Sequence, residues 1–498
     1  MISPSKEKFV NIVKDGKIPP LYMEIPYVYP CLLYEKLASE NSILLESIKG
    51  PWNLARYSFV GFDPYQIIKV KNSLISMQLP GKEISGFSHS NDNSGILSPL
   101  EVLKSLVNAY SQLPIEDLPP FQGGAAGILS YDFVQYLERV PRSAVDDLNL
   151  PDAHFLIIDK LIAFDHMKKQ AWIMVCPGLR NNIRSGIDWQ EEYDKSEQDL
   201  HKIAETVSGS ITSKDFRELG NNERTEIVYE MKMEDYMDIV KRAKEYIATG
   251  DIFQSNLSHR VSAYIGEKRP WAIYRKLSSV NPAPFAAFLD FGEYQIASSS
   301  PERLIRVSQG VIDTRPIAGT RPRGRDQAED ALMRSELLLN EKERAEHIML
   351  IDLERNDLGR VSRYGSVVVD EFMTTEDYSH VIHIVSNVTG RLSDGKDCFD
   401  AIQAAFPGGT ITGVPKVRCM EIIDELEPVC RGPYTGAIGY ISFSGDMDLN
   451  IVIRSFVIKK GMAYVQAGAG IVADSDPERE YYEALKKAEA LIRTLEDI

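Results

Sequence analysis

Two glutamate pairs carry the chemistry most open to reading. In NEKERAEHIMLIDLERNDLGR, residues 340–360, Glu343 and Glu346 stand three apart, and on a helix such positions share a face. Ile348, Met349, Leu350, Ile351 and Leu353 follow, too apolar for a helix wholly in water. One such pair alone fits a solvated face, with Lys342 and Arg344 as partners. A second pair, Glu480 and Glu483, opens the last predicted helix, DPEREYYEALKKAEALIRTL. Just before it the sequence predicts a glycine-rich turn, QAGAGIV, whose Gly468 and Gly470 leave room for a ligand against the backbone. Two ExxE helices favour a shared divalent site, and hard carboxylate oxygens favour Mg²⁺ over Zn²⁺. Four carboxylates would over-neutralise one ion. One per helix, Glu346 and Glu483, is therefore expected on Mg²⁺, with Glu343 and Glu480 holding its waters.

The elements that must position these residues read as a mixture of helix and strand. Before residue 180, 43–47 (ILLES), 56–62 (RYSFVGF) and YQIIKV are strand-like, and FLIIDKLIAFDHMKKQAWIMVC reads as a hairpin turning at 166–169. Residues 79–95 are polar and Gly/Ser/Asn-rich, a loop by composition. MEDYMDIVKRAKEYIATG keeps a helical period and ends at Gly250, the position just past a helix C-terminus. The strands DIFQSNLSHRV, FAAFLDF, YQIASSS, ERLIRVS and GVIDTRPI follow, then the 340–360 helix, and then a meander from AIGYISFSG to MAYVQAGAGIV. Charge-rich residues 181–227 divide the chain into an amino-terminal domain, 1–180, and a second domain, 228–498, although the middle of this polar linker has room for one helix.

Composition limits the partners. At 498 residues the chain can bury a large core. A net charge of −16 repels nucleic acid and anionic membrane surfaces alike, so an anionic substrate needs a local positive site or a metal. Five scattered cysteines without a CxxC point to a reducing cytosol rather than to a disulfide framework or zinc. No run is long and apolar enough to span a membrane, and no targeting segment is expected.

RPIAGTRPRG, RAEHIMLIDLERNDLGRV, SHVIHIVS, FPGGTITGVPK, GPYTGAIGY, IVIRS and QAGAGIV occur in one order and spacing. Together they resemble the chorismate-utilising enzymes, specifically the component I subunits of anthranilate synthase and aminodeoxychorismate synthase. The resemblance implies an α+β fold, two packed β-sheets flanked by helices in α/β/β/α layers. It implies that Mg²⁺ clamps the ring carboxylate of chorismate, and that Arg454 with Tyr434 binds the enolpyruvyl carboxylate, for which an Arg fork is suited. Backbone amides at Gly319, Thr320, Gly468, Ala469 and Gly470 are implied donors to the same anion. Glu302 of SSSPERL is implied as the general acid that protonates the departing C4 hydroxyl, with a raised pKa. His383 matches a family histidine near the reacting ring, and Thr410 is expected to line the pocket. Read on residue type alone, Arg454 could be a structural ion pair within a strand, His383 a core histidine, and Glu302 simply the start of a strand.

Water-using relatives carry a lysine base where this chain has Gln254, and aminodeoxychorismate synthases commonly carry a ring-attacking lysine where it has Ala318. Both differences favour direct attack by ammonia, and the resemblance then implies an anthranilate synthase large subunit in tryptophan biosynthesis. QSNLS, NPAPFAAF, SSSPERL and FPGGT look closer to aminodeoxychorismate synthase, the runner-up. A non-catalytic tryptophan-binding or glutaminase-scaffolding subunit is the alternative of another class; the presence of acid, metal and carboxylate-binding residues disfavours it. The family's feedback site for L-tryptophan is matched by Leu45, Glu46 and Ser47 of LLES, with Arg56 nearby and Pro284, Phe285 and Ala286 of NPAPFAA. No fused glutaminase is expected, and ammonia is expected from a separate glutamine amidotransferase subunit.

Overall fold

FLIIDKLIAF is apolar at nearly every position, which a strand tolerates only when both its faces are covered. In the computed structural model this run, continued to Val175, forms three strands, Ala153–Ile158, Lys160–Asp165 and Gln170–Val175, with the hairpin turn where the sequence predicts it. Leu161 and Ala163 enter a core with Phe59, Phe121, Ile296 and Tyr440, whereas Ile162 and Phe164 join the core shared with helices. The structure describes residues 1–52, 54–79, 82–88, 97–181, 186–209, 225–266, 270–378 and 381–497.

The described strands form two sheets in which every ladder is antiparallel. The first runs Ile2–Ser3, Leu21–Ile25, Gln170–Val175, Lys160–Asp165, Tyr57–Gly61, Ser42–Glu46, Phe285–Asp290, Gln295–Ser300, Ser455–Lys459, Met462–Ile471, Gln254–Tyr264 and Ile227–Tyr229, with Gly413–Val414 on Gln254–Tyr264. The second runs Ile317–Pro322, Val381–Arg391, Val311–Thr314, Arg303–Ser308, Met447–Ile451, Ala437–Ser442, Gly124–Leu129, Ala153–Ile158, Gln66–Lys71, Leu74–Leu79 and Lys82–Ser88, with Val368–Asp377 on Val381–Arg391. The helices Trp189–Ser208, Met233–Ala248, Pro270–Val280 and Pro477–Glu496 cover the outside of the first sheet; Gln327–Leu339, Glu341–Gly359 and Cys398–Ala405 cover the second. The architecture is α+β, two packed sheets between helical layers.

The chain repeatedly steps from one sheet to the other. It does so between Tyr57–Gly61 and Gln66–Lys71, at Asp159, at Pro301–Glu302, and between Ile451 and Ser455. Strands that change sheets make the corners of a sandwich. Both sheets take strands from either side of residues 181–227, so that stretch divides the chain without dividing the sheets. Its middle is the helix Trp189–Ser208, started by Asp188, whose side chain accepts from the amides of Gln190 and Glu191; residues 182–185 and 210–224 lie outside the described ones.

Three expectations need correcting. Residues 79–95, read as loop, contain the strand Lys82–Ser88 on the end of the second sheet, where few apolar residues are needed; 80–81 and 89–95 fall outside the described residues. QAGAGIV is not a turn but the end of the strand Met462–Ile471, paired residue by residue with Gln254–Tyr264. Arg454 does not lie within a strand: its φ of 52° places it in left-handed backbone at a sheet crossing.

Candidate active site

Two of the sheet crossings lie side by side, and each carries a candidate site residue from the sequence, Glu302 on one and Arg454 on the other. The Ile451 amide donates to the Glu302 carbonyl at 3.0 Å and the Ser299 amide to the Arg454 carbonyl at 3.1 Å. Glu302 is buried, and that burial raises its carboxyl to about 7 against the opposing pull of Thr410, the Ile317 amide and the Arg454 and Lys487 charges. Neither Glu302 Oε1 nor Thr410 Oγ1 has a hydrogen-bond partner of its own; the hydroxyl lies close enough to favour the carboxylate without being aligned to it. Burial holds the Arg454 guanidinium below its usual range despite the Tyr378 hydroxyl and Glu302 nearby. A buried acid kept neutral beside an under-compensated arginine can give a proton to one part of an anion and bind another.

His383 faces the same region from Val381–Arg391. Its Nδ1 lies 2.9 Å from Thr320 Oγ1 and 3.2 Å from the Gly319 carbonyl. A carbonyl can only accept, so this pairing puts the proton on Nδ1 and leaves Nε2 a bare acceptor. Nε2 is buried without a partner, and burial, then the Arg454 charge, lowers the imidazole to about 3. His383 is neutral at any working pH. Gly319 sits at a β-bulge with φ 72°, and a Cβ there would meet Glu343 Oε2 at 2.8 Å. Residues 379–380 of the SHVIHIVS motif lie outside the described residues.

The first glutamate pair sits where its helix begins. Asn340 caps Glu341–Gly359 by accepting from the Glu343 amide at 3.0 Å, which fixes the first turn. Glu346 then reaches the first sheet, taking a hydrogen bond from Gln254 Nε2 at 3.0 Å, while Glu343 pairs with Arg321 at 3.1 Å. Burial raises Glu346, and Glu343 and Glu483 raise it further. Glu480 is also raised, by burial and then by Glu483. Glu483 itself is exposed and pairs with Lys487 at 3.0 Å. Among the described residues no three potential ligands form a ready-made metal cage. Mutually repelling carboxylates from two helices instead suit a hard cation that keeps most of its water, the habit of Mg²⁺.

Gly468, Ala469 and Gly470 pair with Ser258, Leu257 and Asn256. A Cβ on Gly470 would meet Gln254 Nε2 at 2.6 Å and Glu346 Oε1 at 3.6 Å, so this strand forms the wall against which the two elements meet. Gln254 Oε1, Ser255 Oγ and Asn256 Oδ1 are buried without partners. Together with Glu302 Oε1, Thr410 Oγ1 and His383 Nε2, these are unspent polar atoms of the kind a bound polar molecule satisfies. Lys487, one turn beyond Glu483, donates to the Gly468 carbonyl at 3.1 Å and is felt at Glu302. Sequence reasoning missed it; its i+4 spacing from Glu483 was the available signal. Tyr434 is buried with its ring 5.6 Å from the Arg431 guanidinium, which pairs with Glu427 at 2.7 Å; its contact is with Arg431, and burial pushes its hydroxyl pKa up.

A separate cavity of about 500 Å³ opens between the two sheets. Leu45, Glu46, Ser47, Arg56, Pro284, Phe285 and Ala286 all line it. Strand pairing brings the two motifs together, with Ala286 opposite Glu46, and Ser47 Oγ donates to the Pro284 carbonyl at 3.0 Å. Arg56 is held by Asp165 at 2.8 Å. This cavity does not include Glu302, Arg454 or His383.

A family model described as chorismate binding enzyme matches residues 41–493. The chain is 41% identical over 509 residues to anthranilate synthase component 1 of Acetivibrio thermocellus, covering 100% of this chain and 99% of that protein. It is 43% identical over 481 residues to aminodeoxychorismate synthase component 1 of Bacillus subtilis strain 168, covering 96% and 97%. Among solved structures, anthranilate synthase component I of Streptococcus pneumoniae TIGR4 superposes with a TM-score of 0.77 at 35% identity, covering 94% of this chain and 98% of that one.

Proposed function

The chain belongs to the chorismate-binding enzymes, and within that family we propose that it is an anthranilate synthase large subunit, turning chorismate and ammonia into anthranilate and pyruvate. Glu302, held neutral by burial, protonates the C4 hydroxyl as it leaves as water while ammonia attacks C2; loss of pyruvate then gives the aromatic ring. Arg454 and Tyr434 hold the enolpyruvyl carboxylate, Gly319, Thr320, Gly468, Ala469 and Gly470 offer backbone donors, and Thr410 lines the pocket. His383, neutral and donating to Gly319, orients that edge of the site. Glu346 and Glu483, with Glu343 and Glu480 behind them, would hold Mg²⁺, which would supply positive charge for the ring carboxylate. Ammonia comes from a separate glutaminase subunit. The cavity between the sheets takes L-tryptophan as a feedback ligand. The free state of all five cysteines fits a reducing cytosol, and no helix among the described residues is long and apolar enough to cross a membrane.

The observation that carries the amination reading is Gln254. Beside Glu346, where a base for water would stand, there is a neutral amide whose Nε2 is spent on Glu346. Ala318, buried in Ile317–Pro322, offers no side-chain nucleophile to the ring. The high identity to a B. subtilis aminodeoxychorismate synthase component keeps 4-amino-4-deoxychorismate, a folate precursor, as the second reading. Incubation with chorismate, Mg²⁺ and ammonium at alkaline pH separates them. Fluorescent anthranilate is the expected product; a product that yields an aromatic amine only after a separate lyase is added overturns it in favour of the second reading.

A further inference from the structure

The residue that follows Glu302 is a buried, fully engaged arginine. Arg303 is 4% exposed and opens the strand Arg303–Ser308 immediately after the sheet crossing. Its guanidinium donates twice to Asp448, Nε to Oδ1 and Nη2 to Oδ2, both at 2.9 Å, and Nη1 reaches Asp313 Oδ1 at 3.3 Å. It also lies over the Phe285 ring, 5.2 Å from the centroid. Three strands are gripped in this way: Met447–Ile451 through Asp448, Val311–Thr314 through Asp313, and Phe285–Asp290 through Phe285. The backbone around it is irregular, with a register shift between Arg303 and Ile305 against the Asn450 strand. Bulges of this kind re-aim a neighbouring side chain.

Beyond the Ile317 amide and the Thr410 hydroxyl that favour its carboxylate, the crossing gives Glu302 little lateral hold. Its carbonyl accepts from Ile451, and its amide reaches Ser300 Oγ only at 3.4 Å. Oε1 has no partner at all. A planar fork that binds a carboxylate through two parallel hydrogen bonds fixes direction as well as distance, and here it is attached one residue from the acid. We infer that Arg303 is a positioning residue, whose clamp on Asp448, Asp313 and Phe285 sets the direction in which the Glu302 carboxyl delivers its proton.

Arg303→Lys keeps the charge and discards the fork. A displacement of about 1 Å at a reacting group costs about 100-fold in rate, so kcat on chorismate is expected to fall by about that factor, with KM for chorismate changed less than about twofold because the carboxylate-binding groups are untouched. An acid that swings out of its apolar seat also becomes a more ordinary carboxylate, so the alkaline limb of kcat/KM moves to lower pH. Asp448→Asn, which loosens the same fork while leaving Asp313 in place, should shift kcat and the limb in the same direction by less, and decides the matter if the lysine variant does not fold. A lowered melting temperature with kcat per folded molecule, KM and limb all unchanged overturns the positioning role. The inference rests on Glu302 as the acid: undiminished turnover by Glu302→Gln in the same assay would remove that premise, whatever Arg303→Lys does.

Discussion

To act as the proposed acid, Glu302 has to stay protonated near neutrality beside an arginine, and burial is the largest influence on it. The carboxyl stands at about 7, with Thr410, the Ile317 amide, Arg454 and Lys487 all pulling it down. Since only the protonated form can act as an acid, kcat/KM for chorismate measured at constant free ammonia should be flat below neutrality and fall as pH rises through about 7. The kcat limb should lie higher, because the bound dianion adds negative charge beside the carboxyl. Glu302→Gln is expected to lower kcat by about 10²–10⁴-fold, the usual share of a general acid, and to abolish that limb. A wild-type profile without an alkaline limb would sink the assignment. His383, lowered to about 3, contributes no limb in this range. The residue types of this constellation were legible in the motifs, since Glu302, His383 and Arg454 each occupy a recognisable string. Their charge states were not, because a pKa belongs to an environment that crossing strands assemble from distant segments.

The end of the strand Met462–Ile471 sets how closely the acidic helix can approach the first sheet. Gly470 faces Gln254 Nε2 and Glu346 Oε1 with no room for a methyl group on the amide side. Gly470→Ala should therefore push Gln254 away from Glu346 and leave a partly buried carboxylate without the Gln254 donor. The expected result is weaker Mg²⁺ activation, read as a higher Mg²⁺ concentration at half-maximal rate, with a melting temperature close to wild type because the clash is with a side chain. If the Mg²⁺ dependence is unaltered, the wall does not shape the metal site. The helices around this strand were legible on different signals: Met233–Ala248 from its period and the glycine past its end, and Glu341–Gly359 and Pro477–Glu496 from the glutamate pairs that open them. QAGAGIV misled because glycine signals a turn locally, whereas here small residues serve a strand pressed between a neighbouring strand and a helix. Arg454 misled in the opposite sense. IVIRS has strand composition, yet a change of sheet forces left-handed backbone on a residue that would not choose it.

At the scale of the molecule, the two sheets exchange chain so often that neither stretch flanking residues 181–227 builds a sheet alone. Local sequence signals could place strands but not assign them to sheets, since Asp159 divides an apolar run that looks continuous. The cavity is a product of that interleaving: Leu45 to Ser47 and Arg56 come from before the polar stretch, and Pro284 to Ala286, Arg303 and Asn450 from after it. A molecule seated there touches both sheets and both parts of the chain, so it should stabilise the whole fold rather than one element. L-tryptophan at about 100 times its Kd would add about 2.7 kcal/mol to the native state, visible as a concentration-dependent rise in melting temperature. Phe285→Ala should reduce the rise, by removing the apolar ring from the cavity wall. Ser47→Ala should reduce it too, by freeing Pro284 from the side-chain hydrogen bond that adds to the strand pairing between LLES and the NPAPFAA segment. A melting curve indifferent to tryptophan would remove it as the ligand. A rise of wild-type size in both variants would place tryptophan elsewhere, because both residues line this cavity.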